Sequence, residues 1–209
     1  MDGVVLPAHW NEVYRRTLGQ GVSWFEAEPA TSLATIKALP QPIGSVVDIG
    51  GGASALVDGL LAAGVADVTV LDVSQEALSI ARERLADQGA DVHWVTSDVL
   101  EWNPRRSFDV WHDRAVFHFV TDVDDRARYV EKVAAALRPG GHAVIATFAP
   151  DGPERCSNLP VARYSADDLA DCFGPGFERV TAFRDVHVTP SGVEQPFTWI
   201  VLRRTLVDA

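Results

Sequence analysis

The chain predicts an α/β fold: an open, mostly parallel sheet flanked by helices. Two observations carry this. From residue 45 onward short apolar runs alternate with longer helix-compatible stretches, the order that gives parallel strands joined by crossover helices. The first run, Val46-Val47-Asp48-Ile49, breaks into Gly50-Gly51-Gly52 and then into Ala55-Leu56-Val57-Asp58-Gly59-Leu60-Leu61. A strand, a glycine turn and a helix in succession form the corner at which open α/β sheets hold their ligands.

Residues 8 to 38 read as a mostly helical extension rich in aromatics, with a turn around Gly19-Gln20-Gly21 and a second helix from about Ala30, capped by Thr31 or Ser32. Leu39-Pro40-Gln41-Pro42 ends it. Strands are then expected at 45–50, 67–72, 91–95, 107–112 and 141–149, with helices at 54–63, 75–88 and 123–138 between them. Ser74 starts the second of these helices, and Thr121 or Asp122 caps the third, which Pro139-Gly140 stops. Ser165 before Ala166-Asp167-Asp168 has the position of an N-cap followed by acidic first-turn residues. Segments 178–189 and 195–204 alternate as a closing hairpin. The expected organisation is one domain over 1–209: a lid or extension (1–44), a ligand-binding core (45–150), and an acceptor-side loop, helix and hairpin (151–209).

Composition bounds the function. The 209 residues suit one such domain, and 47% hydrophobic with 22% charged residues is ordinary for a soluble globular chain. A formal net charge of −11 opposes nucleic acid. Cys156 and Cys172 lack metal-ligand spacing, and no run approaches a membrane span. Met1-Asp2-Gly3-Val4-Val5-Leu6-Pro7 has neither a basic start nor a long apolar core, so no signal peptide is read there. The expectation is a cytoplasmic enzyme with a small-molecule partner, neither nucleic acid nor membrane, whose state as monomer or homodimer stays open.

Carboxylates mark the strand ends. Asp72 closes the second run, where an acid suits the paired hydroxyls of a ribose. Gly50, Gly52 and Ala55 also satisfy G-x-G-x-x-G/A, which keeps an NAD-dependent dehydrogenase in view. Asp48 inside the first strand, Ser97-Asp98-Val99 at a third acidic strand end, Phe108-Asp109-Val110, and Leu137-Arg138-Pro139-Gly140-Gly141 move the reading elsewhere. In this order they resemble the motifs of class I S-adenosylmethionine (SAM)-dependent methyltransferases over roughly residues 45 to 150. The resemblance implies a Rossmann-like sheet whose last strand is antiparallel, SAM as cofactor, S-adenosylhomocysteine as product, and no metal. Gly50, Gly51 and Gly52 would pass under the methionyl part and the ribose. Asp48 would orient the ammonium, Asp72 would accept the ribose hydroxyls with Val73 on the adenine, and Asp98 would accept from the adenine amino group beside Val99.

A second region, Trp111-His112-Asp113-Arg114-Ala115, followed by Asp125-Arg126-Ala127-Arg128-Tyr129, resembles the thiopurine methyltransferase-like branch. Inserted His112 and Ala115 in place of glycine depart from its pattern. Trp10-x-x-x-Tyr14 and Ser23-Trp24-Phe25-x-x-x-Pro29 are similar to that branch's aromatic segment, which folds over the donor and would bring Trp24 to it. On this resemblance Asp113 and Arg114 line the acceptor side, Asp113 also touching the donor. A thiol or related soft nucleophile would need little help from a base, whereas an alcohol or amine would call on His112 or His118. Two alternatives stand beside this: a protein lysine methyltransferase of the elongation-factor type, and a non-catalytic SAM-binding protein.

Overall fold

The computed structural model describes residues 5–205 apart from Gln20. Expectations for the first four residues, for the last four and for Gln20 lie outside the described residues. In chain order the elements are α1 (Val5–Thr17), α2 (Ala30–Lys37), β1 (Ser45–Ile49), α3 (Leu56–Ala62), β2 (Asp67–Asp72), α4 (Gln75–Leu85), β3 (His93–Thr96), β4 (Phe108–Arg114), α5 (Val123–Ala136), β5 (Leu137–Phe148), β6 (Arg155–Cys156), β7 (Leu159–Pro160), α6 (Ala166–Phe173), β8 (Phe177–Val188) and β9 (Glu194–Arg204). Seven strands form one sheet in the order β3-β2-β1-β4-β5-β9-β8. β9 runs antiparallel to both β5 and β8, while β1 to β5 pair in parallel. This is the predicted Rossmann-like sheet, with its antiparallel last strand placed second from the edge.

Strand alternation sorts side chains into two cores. Val46, Val68, Val70, Val110 and Val144 face Ile36 of α2, Leu56 and Leu60 of α3, and Leu78 and Leu85 of α4. Val47, Ile49, Leu71, Trp111 and Ile145 face Tyr129 and Val133 of α5, and Leu169 and Phe173 of α6. On β4 this period places His112 and Arg114 on the face of α2 and α3, and Trp111 and Asp113 on the face of α5. That split decides what each can do.

Local chemistry sets the helix starts. The Ser74 hydroxyl accepts from the Ala77 amide and Asp122 accepts from Asp124 and Asp125. Ser165 and Asp168 form the reciprocal capping box. The expected cap at Thr31 or Ser32 is corrected: α2 begins after Pro29 with no side-chain cap, because both hydroxyls serve distant partners. Thr31 donates to Asp185 and Ser32 meets His112. The short β6–β7 hairpin falls in a stretch the sequence marks only as loop.

Candidate functional site

At the carboxyl edge of the sheet the parallel strands end side by side: Arg114 on β4, Gly50 after β1, Asp72 on β2 and Asp98 beyond β3. A cleft opens there under the segment between α1 and α2. Trp24, Phe25 and Glu26 line it from that segment, Asp48, Gly50 and Gly51 from β1 and its turn, and His112 and Arg114 from β4. Gly52 and Asp72 adjoin it through Tyr14. A Cβ on Gly52 would lie 2.9 Å from Asp72 Oδ2 and 2.9 Å from the Tyr14 hydroxyl. The glycines thus leave bare backbone beside an acid, a surface suited to a ribose and a methionyl chain.

Asp72 is buried, and its Oδ1 accepts from the Ser74 amide at 2.7 Å. Burial, aided by the charge of Asp48, pushes its carboxyl up to about 7, against the pull of the Ser74 and Val73 amides. Asn11 on α1 accepts from the Ser74 hydroxyl at 2.8 Å, docking the extension on the start of α4. Arg84 on α4 donates at 2.7 Å to the carbonyls of both Ala53 and Ser54, which fastens the far side of the glycine turn. Asp98 spends Oδ1 on the Leu100 amide at 2.8 Å. Val73 is half-buried and Val99 buried beside these acids.

Asp48 and His112 are register partners on β1 and β4. The His112 Nδ1 lies 2.7 Å from Asp48 Oδ1 and its Nε2 3.0 Å from the Ser32 hydroxyl. Both ring nitrogens are therefore engaged within buried surroundings. His112 lines the cleft while tying β1 to α2 and steadying Asp48.

Asp113 is corrected more sharply. It is 0% exposed and points into the α5 face. It accepts from the Val116 amide at 2.8 Å, the Phe117 amide at 3.0 Å and the Tyr129 hydroxyl, which in turn accepts from Trp111 Nε1. Burial raises its carboxyl to about 6 despite these donors. Asp113 fixes the turn after β4, and lines neither the donor nor the acceptor side.

Arg114 does face the cleft. It donates to the Trp24 carbonyl at 3.1 Å and to Glu26 Oε1 at 2.8 Å, and its guanidinium lies 5.1 Å from the Phe197 ring centre. Glu26 Oε1 also lies 3.3 Å from His187 Nδ1, while His187 Nε2 donates to the Ser23 carbonyl at 2.7 Å. Arg114 and His187 thus clamp the Ser23–Glu26 segment across the cleft mouth.

Next to Arg114 the contacts form a ring of aromatics. Trp24 meets Trp10, with ring centres 5.5 Å apart, and Trp10 meets Phe119 at 5.4 Å. Phe119 meets His118 at 4.5 Å and His118 meets Phe148 at 4.7 Å. Phe148 meets Phe197 at 4.9 Å, and Arg114 over Phe197 closes the circuit back to the Trp24 carbonyl. Cys156 packs in the same cluster; burial pushes its thiol up to about 12, so it stays protonated. His118 is 0% exposed and neither ring nitrogen has a partner. Burial, then the charge of Arg114, lowers it to about 3, leaving a neutral imidazole. An unpaired buried polar atom costs about 1–3 kcal/mol, so this histidine is the one polar feature of the ring that folding alone does not explain.

Sequence reasoning missed Ser32, Glu26, Arg84 and His187. No local motif marks them, since each acts on residues distant in the chain. Among the described residues no group of three His, Cys, Asp or Glu side chains is placed to hold a metal, and no helix is long and apolar enough to cross a membrane.

Comparison with known proteins bears on the fold and on residues 46–141. Residues 46–141 match the model of a methyltransferase domain. Nodulation protein S of Rhizobium tropici is 28% identical over 120 residues, which cover 57% of this chain and 50% of that protein. The chain spans about half the length of the curated relatives it matches. A structure from work on the conversion of a disulfide bond into a thioacetal group during echinomycin biosynthesis aligns with a TM-score of 0.77 at 21% identity, covering 98% of this chain and 93% of that one. Burkholderia thailandensis 1,6-didemethyltoxoflavin-N1-methyltransferase, with bound 1,6-didemethyltoxoflavin and S-adenosylhomocysteine, aligns with a TM-score of 0.75 at 22% identity over 99% of this chain and 92% of that one. The fold is that of class I SAM-dependent methyltransferases, whose cofactor is S-adenosyl-L-methionine.

Proposed function

We propose that the chain transfers a methyl group from SAM to a small-molecule acceptor, a thiol or related soft nucleophile, as in the thiopurine and thiol methyltransferase branch. When bound, the cofactor supplies an electrophilic methyl on a positively charged sulfur. The chain's own residues would hold it: Gly50, Gly51 and Gly52 beneath the methionyl part and ribose, Asp48 toward the ammonium, Asp72 at the ribose hydroxyls, and Asp98 and Val99 at the adenine. Arg114 and Trp24 would close over the reacting centre and exclude water, the main demand of an in-line displacement.

The observation that carries the soft-nucleophile reading is the engagement of His112 on both nitrogens, by Asp48 and Ser32. Burial lowers His118 to about 3, which makes it a weak base, and His112 spends Nε2 on the Ser32 hydroxyl. A thiol, ordinarily near pKa 8.5, needs no such base. The acceptor named for the Burkholderia enzyme supports a small molecule as acceptor, although that enzyme is named for transfer to nitrogen. The clamped lid weighs against a protein lysine acceptor, which needs an open channel.

The test is transfer from labelled SAM to a panel of thiols, halides, phenols, amines and peptides. Thiols should be preferred, and His112→Ala should cost less than about tenfold in rate with a thiol, below the usual general-base contribution. Preferred methylation of an amine, with a loss of about a hundredfold in His112→Ala, would overturn the acceptor reading and leave the SAM reading standing.

A pH dependence follows from Asp72. The ribose hydroxyls donate, so the ionised carboxylate binds them better. Affinity for S-adenosylhomocysteine should climb by up to about tenfold per pH unit below about 7 and level off above it. The same raised pKa has the opposite effect on folding: its stabilising contribution is full below pH 3.8 and is lost as pH rises through about 7. Calorimetric titrations at pH 6, 7 and 8 check this; equal affinities, matched by Asp72→Asn, would remove Asp72 from the ribose site.

A further inference from the structure

We infer that the aromatic ring beside Arg114 is the acceptor subsite, and that it selects an uncharged planar aromatic molecule whose one polar atom is hydrogen-bonded by His118. This rests on the methyltransferase reading above and narrows its acceptor. Two independent observations carry it. The first is the closed circuit of ring contacts that starts and ends at the cleft, where Trp24 and Arg114 are shared by both. Trp10 is held between Trp24 and Phe119 by edge contacts, at interplanar angles of 80° and 73°. Quadrupoles favour such contacts between rings, and a planar guest ring at the cleft end of the circuit can make the same edge contact with Trp24. A saturated ring of the same size presents no π face and no polarised edge to the cage.

The second observation is His118. It is fully buried inside the circuit between Phe119 and Phe148, with both nitrogens unpartnered. Buried polar atoms without a partner are rare in native structures, and each calls for an explanation such as a ligand or an ordered water. The neutral imidazole offers one donor and one acceptor, so it matches a hydroxyl, thiol or ring N–H. A cationic guest is disfavoured, because Arg114 borders the same space.

Phenol and cyclohexanol form the matched probes: both are neutral, carry one hydroxyl and differ in planarity and aromaticity. Binding to protein saturated with S-adenosylhomocysteine is followed by calorimetry and by quenching of tryptophan emission. Phenol should bind at least tenfold more tightly than cyclohexanol. His118→Phe, which keeps the packing, should weaken phenol binding by about tenfold and leave S-adenosylhomocysteine affinity unchanged. Equal or absent binding of the two alcohols, or phenol affinity unaltered in His118→Phe, would overturn this subsite while S-adenosylhomocysteine still binds. If the histidine holds only an ordered water, His118→Phe will melt at a different temperature yet bind phenol as before, and that also overturns it. Failure of S-adenosylhomocysteine itself to bind would count against the methyltransferase reading.

Discussion

Replacing Asp113 with alanine should unfold the protein at a lower temperature by about 6–20 °C and leave affinity for S-adenosylhomocysteine in the folded fraction within about twofold. The carboxylate satisfies three buried donors, the amides of Val116 and Phe117 and the Tyr129 hydroxyl. Removing one partner of a buried network leaves the others desolvated and unpaired, which costs about 3–5 kcal/mol. For a domain of this size each kcal/mol moves the melting temperature by about 2–4 °C. Tyr129→Phe should be milder, since it removes one donor and leaves Trp111 Nε1 without its acceptor. Thermal melts of both variants, beside calorimetric titration below the transition, decide the matter. An unchanged melting temperature with abolished turnover would return Asp113 to the acceptor wall.

That expectation reverses what the motif suggests, and the reversal has a simple origin. In Trp111-His112-Asp113-Arg114 the chemistry is visible but the face is not. Strand period 2 sends two adjacent charged residues in opposite directions: Arg114 into the cleft, Asp113 into α5. Sequence alone does not say which face holds the ligand. The parallel sheet with its antiparallel last strand and the acidic strand ends were legible because strand, glycine turn and helix are local patterns. Asp48, Gly50, Gly51, Trp24 and Arg114 fall on one cleft, with Gly52 and Asp72 adjoining. The clamp on the lid was not legible. It joins Glu26 to Arg114 and His187, residues 88 and 161 positions away, and only the β8–β9 hairpin folding beside β5 brings them together. Arg84 escaped for the same reason: its two carbonyl partners lie 30 and 31 residues earlier. His118 was legible as a histidine near the acceptor side, while its isolation from any partner is a property of packing.

Gly52→Ala should weaken S-adenosylhomocysteine binding by at least about thirtyfold, and Gly64→Ala should leave it unchanged. The pair separates two effects of a new methyl group. Both glycines have positive φ, +45° and +84°, so alanine strains the backbone at either by about 1–2 kcal/mol. At Gly64 a Cβ meets nothing within 4 Å, and the penalty is confined to stability. At Gly52 the Cβ would fall 2.9 Å from Asp72 Oδ2, 2.9 Å from the Tyr14 hydroxyl and 3.3 Å from the Ala77 Cβ. Ala77 is in the first turn of α4, directly after the Ser74 cap, and yields little. The carboxylate must therefore swing from its place, losing the orientation set by the Ser74 amide. A ribose bound there would lose both its close approach to the backbone and its charge-assisted acceptor, worth together about 2 kcal/mol or more, and each 1.4 kcal/mol is tenfold in affinity. Equal melting-temperature losses in the two variants with equal, near wild-type affinities would show that the donor passes elsewhere along the sheet edge.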